Sequence, residues 1–345
     1  MISDIYLISI FAILGFIATY LLTPKFGNFM MSKGKFGKDV HKKDLPEIPE
    51  AGGISFMLVY LVLLFIGIYI APTQLARYRM TIILFILFLV TLLGLYDDFY
   101  RLSALAKPGI LVILSLPIVL FNEYNGIQIA NPSPALPFVG YTRLDIVYWG
   151  LAIFVVAIPS NASNMLDVMN GVMAGSGILI SLTAFIVTYI IPLSESAIFV
   201  ARYTSLTLAA VLFGFWIFNK YPARIFAGDT GSLGAGAAIG LIAIYGEIEF
   251  VLIVALLVHI MNSFSILSSL KGLKDRHNIR ERPVWVEDGV VYASKNPKAP
   301  ITLVRLIVAR SPLPENLIIK EIMKLVIFSC VLAIITAYLI RVELS

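Results

Sequence analysis

Apolar runs long enough to cross a bilayer recur along this chain, separated by shorter polar segments. A membrane helix needs about 20 mostly apolar residues. Ten runs are candidates: 4–22, 51–71, 80–96, 108–122, 144–160, 172–192, 197–219, 231–246, 249–269 and 320–341. Runs 108–122 and 231–246 are the short ones. The first run is no signal peptide, because Asp4 precedes it and neither a basic leader nor a small-residue cleavage site is evident. The pattern predicts an all-α, polytopic integral membrane protein of about ten transmembrane helices. It forms a single membrane-embedded domain, residues 1–345, with a long loop at 270–319. Gly236 and Gly240, four apart in the eighth run, predict close helix packing.

Composition strengthens this picture. Hydrophobic residues make up 59% and charged residues 14% of the 345, and mean hydropathy is +0.92. Soluble domains carry about 25% charged residues, so a soluble enzyme, a disordered chain and a nucleic-acid binder are excluded. The single cysteine, Cys330, lies in an apolar run, which rules out a disulfide framework.

Sidedness follows from charge. If ten helices alternate, segments 23–50, 97–107, 161–171, 220–230 and 270–319 share one side. That side carries 21 of the 26 Lys and Arg and 14 of the 21 Asp and Glu, a net of +7; the other carries the rest, a net of −2. Cytoplasmic loops are enriched in Lys and Arg, so the first side is expected to be cytoplasmic and both termini outside.

The polar residues that need explaining all fall on that first side. The segment Asp39-Val40-His41-Lys42-Lys43 leads to Ala51-Gly52-Gly53, and a Gly pair opening a helix could offer bare N–H groups to a phosphate. Lys33, Lys35 and Lys38 read more simply as anchors to anionic lipid. Asp97 and Asp98 adjoin at a helix C-terminus, where both desolvation and the helix dipole disfavour them. A divalent metal, Arg101 or Lys107 could offset their charge. Asn161, Asn164, Asp167 and Asn170 recur at intervals of three, and on a helix they would share an oxygen-bearing face suited to Mg²⁺ or to a nucleobase edge. Gly228-Asp229-Thr230-Gly231 could set a carboxylate on a metal beside N–H groups facing phosphate. The long loop holds Arg276, His277 and Arg280, a cluster suited to a diphosphate. It then alternates from Trp285 to Tyr292 around Asp288-Gly289, which predicts a small hairpin. Together these residues describe a water-facing site, beside lipid, for a metal-bound phosphate compound.

These motifs resemble those of the polyprenyl-phosphate N-acetylhexosamine-1-phosphate transferases. The Asp-x-His-Lys…Gly-Gly stretch at 39–53, Asp97-Asp98 with Lys107, Asn161 to Gly171, and Phe226 to Ser232 are similar to that family's signatures, in the same order. The Arg276-His277…Arg280 cluster looks more like the eukaryotic and archaeal dolichyl-phosphate N-acetylglucosamine-phosphotransferases than like the histidine run of the peptidoglycan branch. Asp167 resembles the bacterial branch.

The resemblance implies transfer of N-acetylglucosamine-1-phosphate from UDP-N-acetylglucosamine to a polyprenyl or dolichyl phosphate, with release of UMP. It implies Asn164 and Asp229 as ligands of Mg²⁺, for which Mn²⁺ could substitute, and Asn170 at the uracil. Lys107, Arg276, His277 and Arg280 would hold the diphosphate and sugar. Asn161, Asp167, His41 and Gly53 would line the substrate site, and Asp97 or Asp98 would act as base or organise charge. It implies an integral protein of the cell membrane or endoplasmic reticulum, with its site on the cytoplasmic face and a homodimer compatible with it. A bacterial-type enzyme for cell-wall precursors is the nearest alternative. A transporter would instead gather its polar groups at the bilayer midplane.

Overall fold

A computed structural model describes residues 2–124, 126–274 and 281–344. Helix covers all ten expected segments, with breaks. The helices are α1 (Ile2–Ser32), α2 (Gly53–Ile70), α3 (Gln74–Tyr100), α4 (Ala106–Leu120), α5 (Asp145–Ala152), α6 (Ala157–Leu166), α7 (Val172–Val187), α8 (Glu195–Asn219), α9 (Gly228–Tyr245), α10 (Glu249–Ala255), α11 (Leu257–Leu270), α12 (Leu303–Val308) and α13 (Glu315–Leu344).

Among the described residues the ten expected runs differ in length and straightness. Among the described residues five helices, α1, α2, α3, α8 and α13, are long and apolar enough to cross a membrane. Two bent pairs raise the number to seven: α5–α6, bent by 43°, and α10–α11, bent by 66°. The expected fifth and ninth runs therefore each break in the middle. Helices α4 and α7 are short, at 15 and 16 residues. The architecture is that of a polytopic membrane protein.

Helix α9 forms the centre, packed among α2, α3, α6, α7, α8 and α10. Every residue from Thr230 to Tyr245 is buried. Small residues make this crowding possible. A Cβ on Gly236 would stand 2.6 Å from the Ser160 Cα and closer still to the Pro159 carbonyl, and one on Gly240 would collide with the Val155 carbonyl. The Ser160 hydroxyl donates to the Leu233 carbonyl at 3.0 Å, fastening α6 to α9. Gly236 and Gly240 thus serve the close packing their spacing predicts.

Opposite ends of the bundle differ in chemistry. At one end Arg79, 2% exposed, donates to the Ile129 carbonyl at 2.8 Å and to the Tyr245 carbonyl at 3.0 Å, and pairs with Glu247 at 2.8 Å. A cation there suits the C-terminus of α9. At the other end lie the N-terminus of α9, the C-termini of α3 and α6, and the polar segments singled out from sequence.

Short strands dress the loops. Strands β1 (Phe36–Lys38) and β2 (Glu47–Pro49) pair antiparallel in the first loop. Two-residue ribbons β3–β4 (Glu123–Tyr124, Ile127–Gln128) and β5–β6 (Ala135–Leu136, Gly140–Tyr141) follow α4. In the last loop β7 (Val284–Glu287) and β8 (Val290–Ala293) form a hairpin. Its turn residues Asp288 and Gly289 both have positive φ, as a two-residue hairpin turn requires. Strand β9 (Leu313–Pro314) adds to β8 and delivers the chain into α13.

Candidate active site

Four segments converge at the N-terminus of α9 because glycines let them. A Cβ on Gly94 of α3 would stand 2.6 Å from the Thr230 Cα, and one on Gly53 of α2 would overlap the backbone of Gly231. Gly228 has φ +70, a conformation that costs glycine nothing. This close approach spends the N–H groups of the Gly pair: Gly52 donates to the Phe226 carbonyl and Gly53 to the Ala227 carbonyl, each at 2.8 Å. The expectation that Gly53 offers a bare N–H to phosphate is therefore corrected. Its role is to seat the Gly228–Ser232 turn.

Asp97 and Asp98, adjacent in sequence, have different partners. Asp98 caps α9. Its Oδ1 accepts from the Asp229 N–H at 2.6 Å, and its Oδ2 accepts from the Thr230 N–H at 3.0 Å and from the Thr230 hydroxyl. A carboxylate at a helix N-terminus is favourably placed, which resolves its unfavourable position at the end of α3. Asp97, 3% exposed, pairs with the Lys107 ammonium. Lys107 Nζ also lies 2.9 Å from Asp229 Oδ1. Arg101 forms no ion pair among the described residues.

Asn164, at the end of α6, contacts Asp229 directly through Nδ2, and the same nitrogen donates to the Ser232 hydroxyl at 2.8 Å. Asn161 turns back on its own helix, donating to the Ala157 carbonyl at 2.7 Å. Helix α6 ends at Leu166, so the face expected to run from Asn161 to Asn170 stops there. The chain leaves the helix at Asp167, with φ −77 and ψ 61, and Gly171, with φ +76, stands at the entry to α7. Asp167 opens this turn. Burial first, then the charges of Asp229 and Asp98, push its carboxyl up to about 7.

Asn170 closes the turn and belongs to a second, buried knot of charge. Its Nδ2 donates to Asp39 Oδ2 at 2.9 Å and its backbone N–H donates to Glu315 Oε1 at 2.9 Å. Lys42 Nζ lies 3.2 Å from Asp39 Oδ2 and touches Glu315 Oε2, with the Tyr221 ring 4.0 Å away. His41 Nδ1 stands 3.8 Å from Asp39 and 4.0 Å from Glu315. Burial alone would raise the Asp39 carboxyl; the Asn170 amide, the Lys42 charge and the His41 N–H outweigh it and hold the pKa below the ordinary carboxylate value. Burial would lower Lys42, but its contacts with Glu315 and Asp39 raise it. Asp39, His41 and Glu315 offer ligand atoms within 4.8 Å of one another. Lys42 already bridges the two carboxylates, so a metal there would have to displace it. Glu315 was not singled out from sequence. The signal was an acidic residue following Pro312-Leu313-Pro314 at the start of the last helix. Arg276, His277 and Arg280 lie outside the described residues.

The first cluster suits a divalent cation. Asp97, Asp98, Asp167 and Asp229 gather with one ammonium, so negative charge is in excess. Were the Asn164 amide turned over, it would set its oxygen beside the Asp229 carboxylate. The two would then form the hard oxygen pair that Mg²⁺ takes alongside substrate phosphates.

Comparison with known proteins agrees with this chemistry. The description "Glycosyl transferase family 4" matches residues 80–247, which include Asp97, Asp98, Lys107, Asn164 and Asp229. A protein of Sulfolobus acidocaldarius, provisionally named a UDP-N-acetylglucosamine–dolichyl-phosphate N-acetylglucosaminephosphotransferase, is 30% identical over 68% of this chain and 70% of its own length. This chain belongs to glycosyl transferase family 4. A phospho-N-acetylmuramoyl-pentapeptide-transferase of Oceanobacillus iheyensis is 30% identical over 76% of this chain and 82% of its own. A provisionally named glycosyltransferase of Methanocaldococcus jannaschii is 30% identical over 90% and 91%. The chain is a sugar-phosphate transferase, the enzyme class that the first two of these relatives carry in their names.

Proposed function

We propose that this family 4 transferase moves N-acetylglucosamine-1-phosphate from UDP-N-acetylglucosamine to a membrane polyprenyl or dolichyl phosphate, releasing UMP at the cytoplasmic face. The reaction would open the assembly of a lipid-linked oligosaccharide for protein glycosylation. The observation that carries the reading is the cluster at the α9 N-terminus, where one ammonium and one amide meet an excess of carboxylates. The names of the archaeal relatives support the same donor and acceptor.

Asn164 and Asp229 would hold Mg²⁺, which when bound draws charge from the diphosphate. Asp98 holds the Asp229–Thr230 backbone in place. Lys107, steadied by Asp97, stands where it can meet a phosphate oxygen as it turns from Asp229. An oxygen of the acceptor phosphate attacks the sugar-bearing phosphorus. That bond forms as the bridging P–O bond breaks, and UMP leaves with the electron pair. A phosphate monoester has a second pKa of about 6, so the acceptor needs no strong base. Positioning and charge carry most of the rate.

The test is UMP release from membranes containing the protein, supplied with UDP-N-acetylglucosamine, dolichyl phosphate and Mg²⁺. No UMP would overturn the reading. Asp229→Asn is expected to lower turnover by about a hundredfold or more, and full Mg²⁺-dependent turnover in that variant would remove the metal assignment. Asp167 and the similarity to the Oceanobacillus iheyensis protein favour a second reading, with a muramoyl-pentapeptide donor. Offering both donors side by side separates the two.

A further inference from the structure

The last carbonyls of a helix need donors from outside it. At the end of α6 the Asp167 N–H serves the Ser163 and Asn164 carbonyls, at 3.1 and 3.3 Å, and the Val168 N–H serves that of Leu166 at 2.8 Å. Among the described residues the Met165 carbonyl between them receives no backbone donor. Its donor is Asn262 of α11, whose Nδ2 stands 3.2 Å away. Asn262 is 5% exposed, and its Oδ1 accepts from the Leu303 N–H at 2.9 Å. The two partners fix which way the amide faces, since turning it over would set oxygen against a carbonyl and N–H₂ against an N–H.

Leu303 is the first residue of α12, so one buried amide caps the end of one helix and the start of another. Helix α12 is in turn bound to the loop before it. The Arg305 guanidinium donates to the carbonyls of Ser294, Asn296, Ala299 and Pro300. The Ile301 N–H donates to the Ser269 hydroxyl at 3.0 Å, a second tie to α11. At the other end of the chain of contacts, Met165 directly follows Asn164, whose amide touches Asp229. Resting on the transferase reading above, we propose that Asn262 is a positioning residue. Oriented by the first N–H of α12, it holds the end of α6 and so sets the Asn164 amide beside Asp229. The last cytoplasmic loop thereby shapes the oxygen pair offered to a divalent cation.

The experiment uses Mn²⁺ as probe and measures its dissociation constant for the purified full-length protein in detergent, from the electron paramagnetic resonance signal of free Mn²⁺. Asn262→Leu keeps an apolar filling but removes both contacts, and should weaken Mn²⁺ by about tenfold. Leu303→Pro deletes only the N–H that orients the amide. Proline is tolerated at the first residue of a helix, and the extended Thr302 before it suits the ring. This variant should weaken Mn²⁺ by about threefold. Ser269→Ala cuts the tie that does not reach α6, and should stay within about twofold of the wild type. A merely structural role would lower the melting midpoint of the Asn262 and Leu303 variants and leave their Mn²⁺ affinity unchanged. The inference is overturned if either variant binds Mn²⁺ as the wild type does, or if Ser269→Ala weakens it as far as Asn262→Leu. Should Asn262→Leu fail to fold, Leu303→Pro against Ser269→Ala decides alone. A wild type that releases UMP yet fails these comparisons, or binds no Mn²⁺, sinks this inference and leaves the transferase reading standing. A protein that neither bound Mn²⁺ nor released UMP would remove both.

Discussion

Asp98 shows how much a single carboxylate can depend on its surroundings. Both its oxygens are filled by donors from the first turn of α9. An amide at this position would turn an N–H₂ toward N–H donors and disturb the Asp229 backbone. Asp98→Asn is therefore expected to cost about tenfold to a hundredfold in turnover, with the same Mg²⁺ requirement, in a UMP-release assay. The charged knot permits a second forecast at this scale. Asp39 is held below its ordinary value of 3.8, so its contribution to stability is present above that value and disappears as pH falls through the depressed folded pKa. Lys42 is held above 10.5, so its contribution is complete below that value and disappears as pH rises through the raised one. Between these limits Asp39 and Lys42 both stay ionised. Thermal midpoints in detergent should show an acid limb that shrinks in Asp39→Asn and an alkaline limb that shrinks in Lys42→Met. Asp97, Asp98, Lys107, Asn164 and Asp229 could be picked out in the sequence because charge and amides at the ends of apolar runs demand partners. Glu315 could not, since its partners lie 145 and 273 positions away along the chain and no periodicity links them.

At the scale of elements the apolar runs were legible, and their interruptions were not. Hydropathy averages over a turn, so a break such as that between α5 and α6 leaves the window apolar while the backbone bends by 43°. The three-residue spacing of Asn161, Asn164 and Asp167 concealed the turn that opens at Asp167 and closes at Gly171, where α7 starts. Helix α9 was the clearest case for reading packing from composition, and it gives a prediction. Gly236→Val would drive branched carbons into the Pro159 carbonyl and Ser160. Overpacking of this kind costs about 1–3 kcal/mol. Because α6 carries Asn164 and α9 carries Asp229, the variant should lose activity out of proportion to its loss of thermal stability, and a paired measurement of UMP release and melting would reveal it.

Across the whole molecule the two ends of the bundle carry separate duties. The Arg79 end ties the α9 C-terminus to Glu247 and to the loop after α4, far along α9 from Asp229. Removing one partner of a buried pair costs about 3–5 kcal/mol. Arg79→Met is expected to lower the melting midpoint sharply while surviving folded protein keeps its donor KM. A raised KM at permissive temperature would show the two ends to be coupled. The knot at the opposite end has a consequence in time. Asp39 and Asn170 leave the ribosome well before Glu315, which arrives only with the last helix. Until that helix is synthesised and inserted, the turn bearing Asn170 lacks one of its two clamps. A growing chain can thus set the carboxylates around Asp229 early, yet completes the knot that holds Asn170 only once α13 has been made.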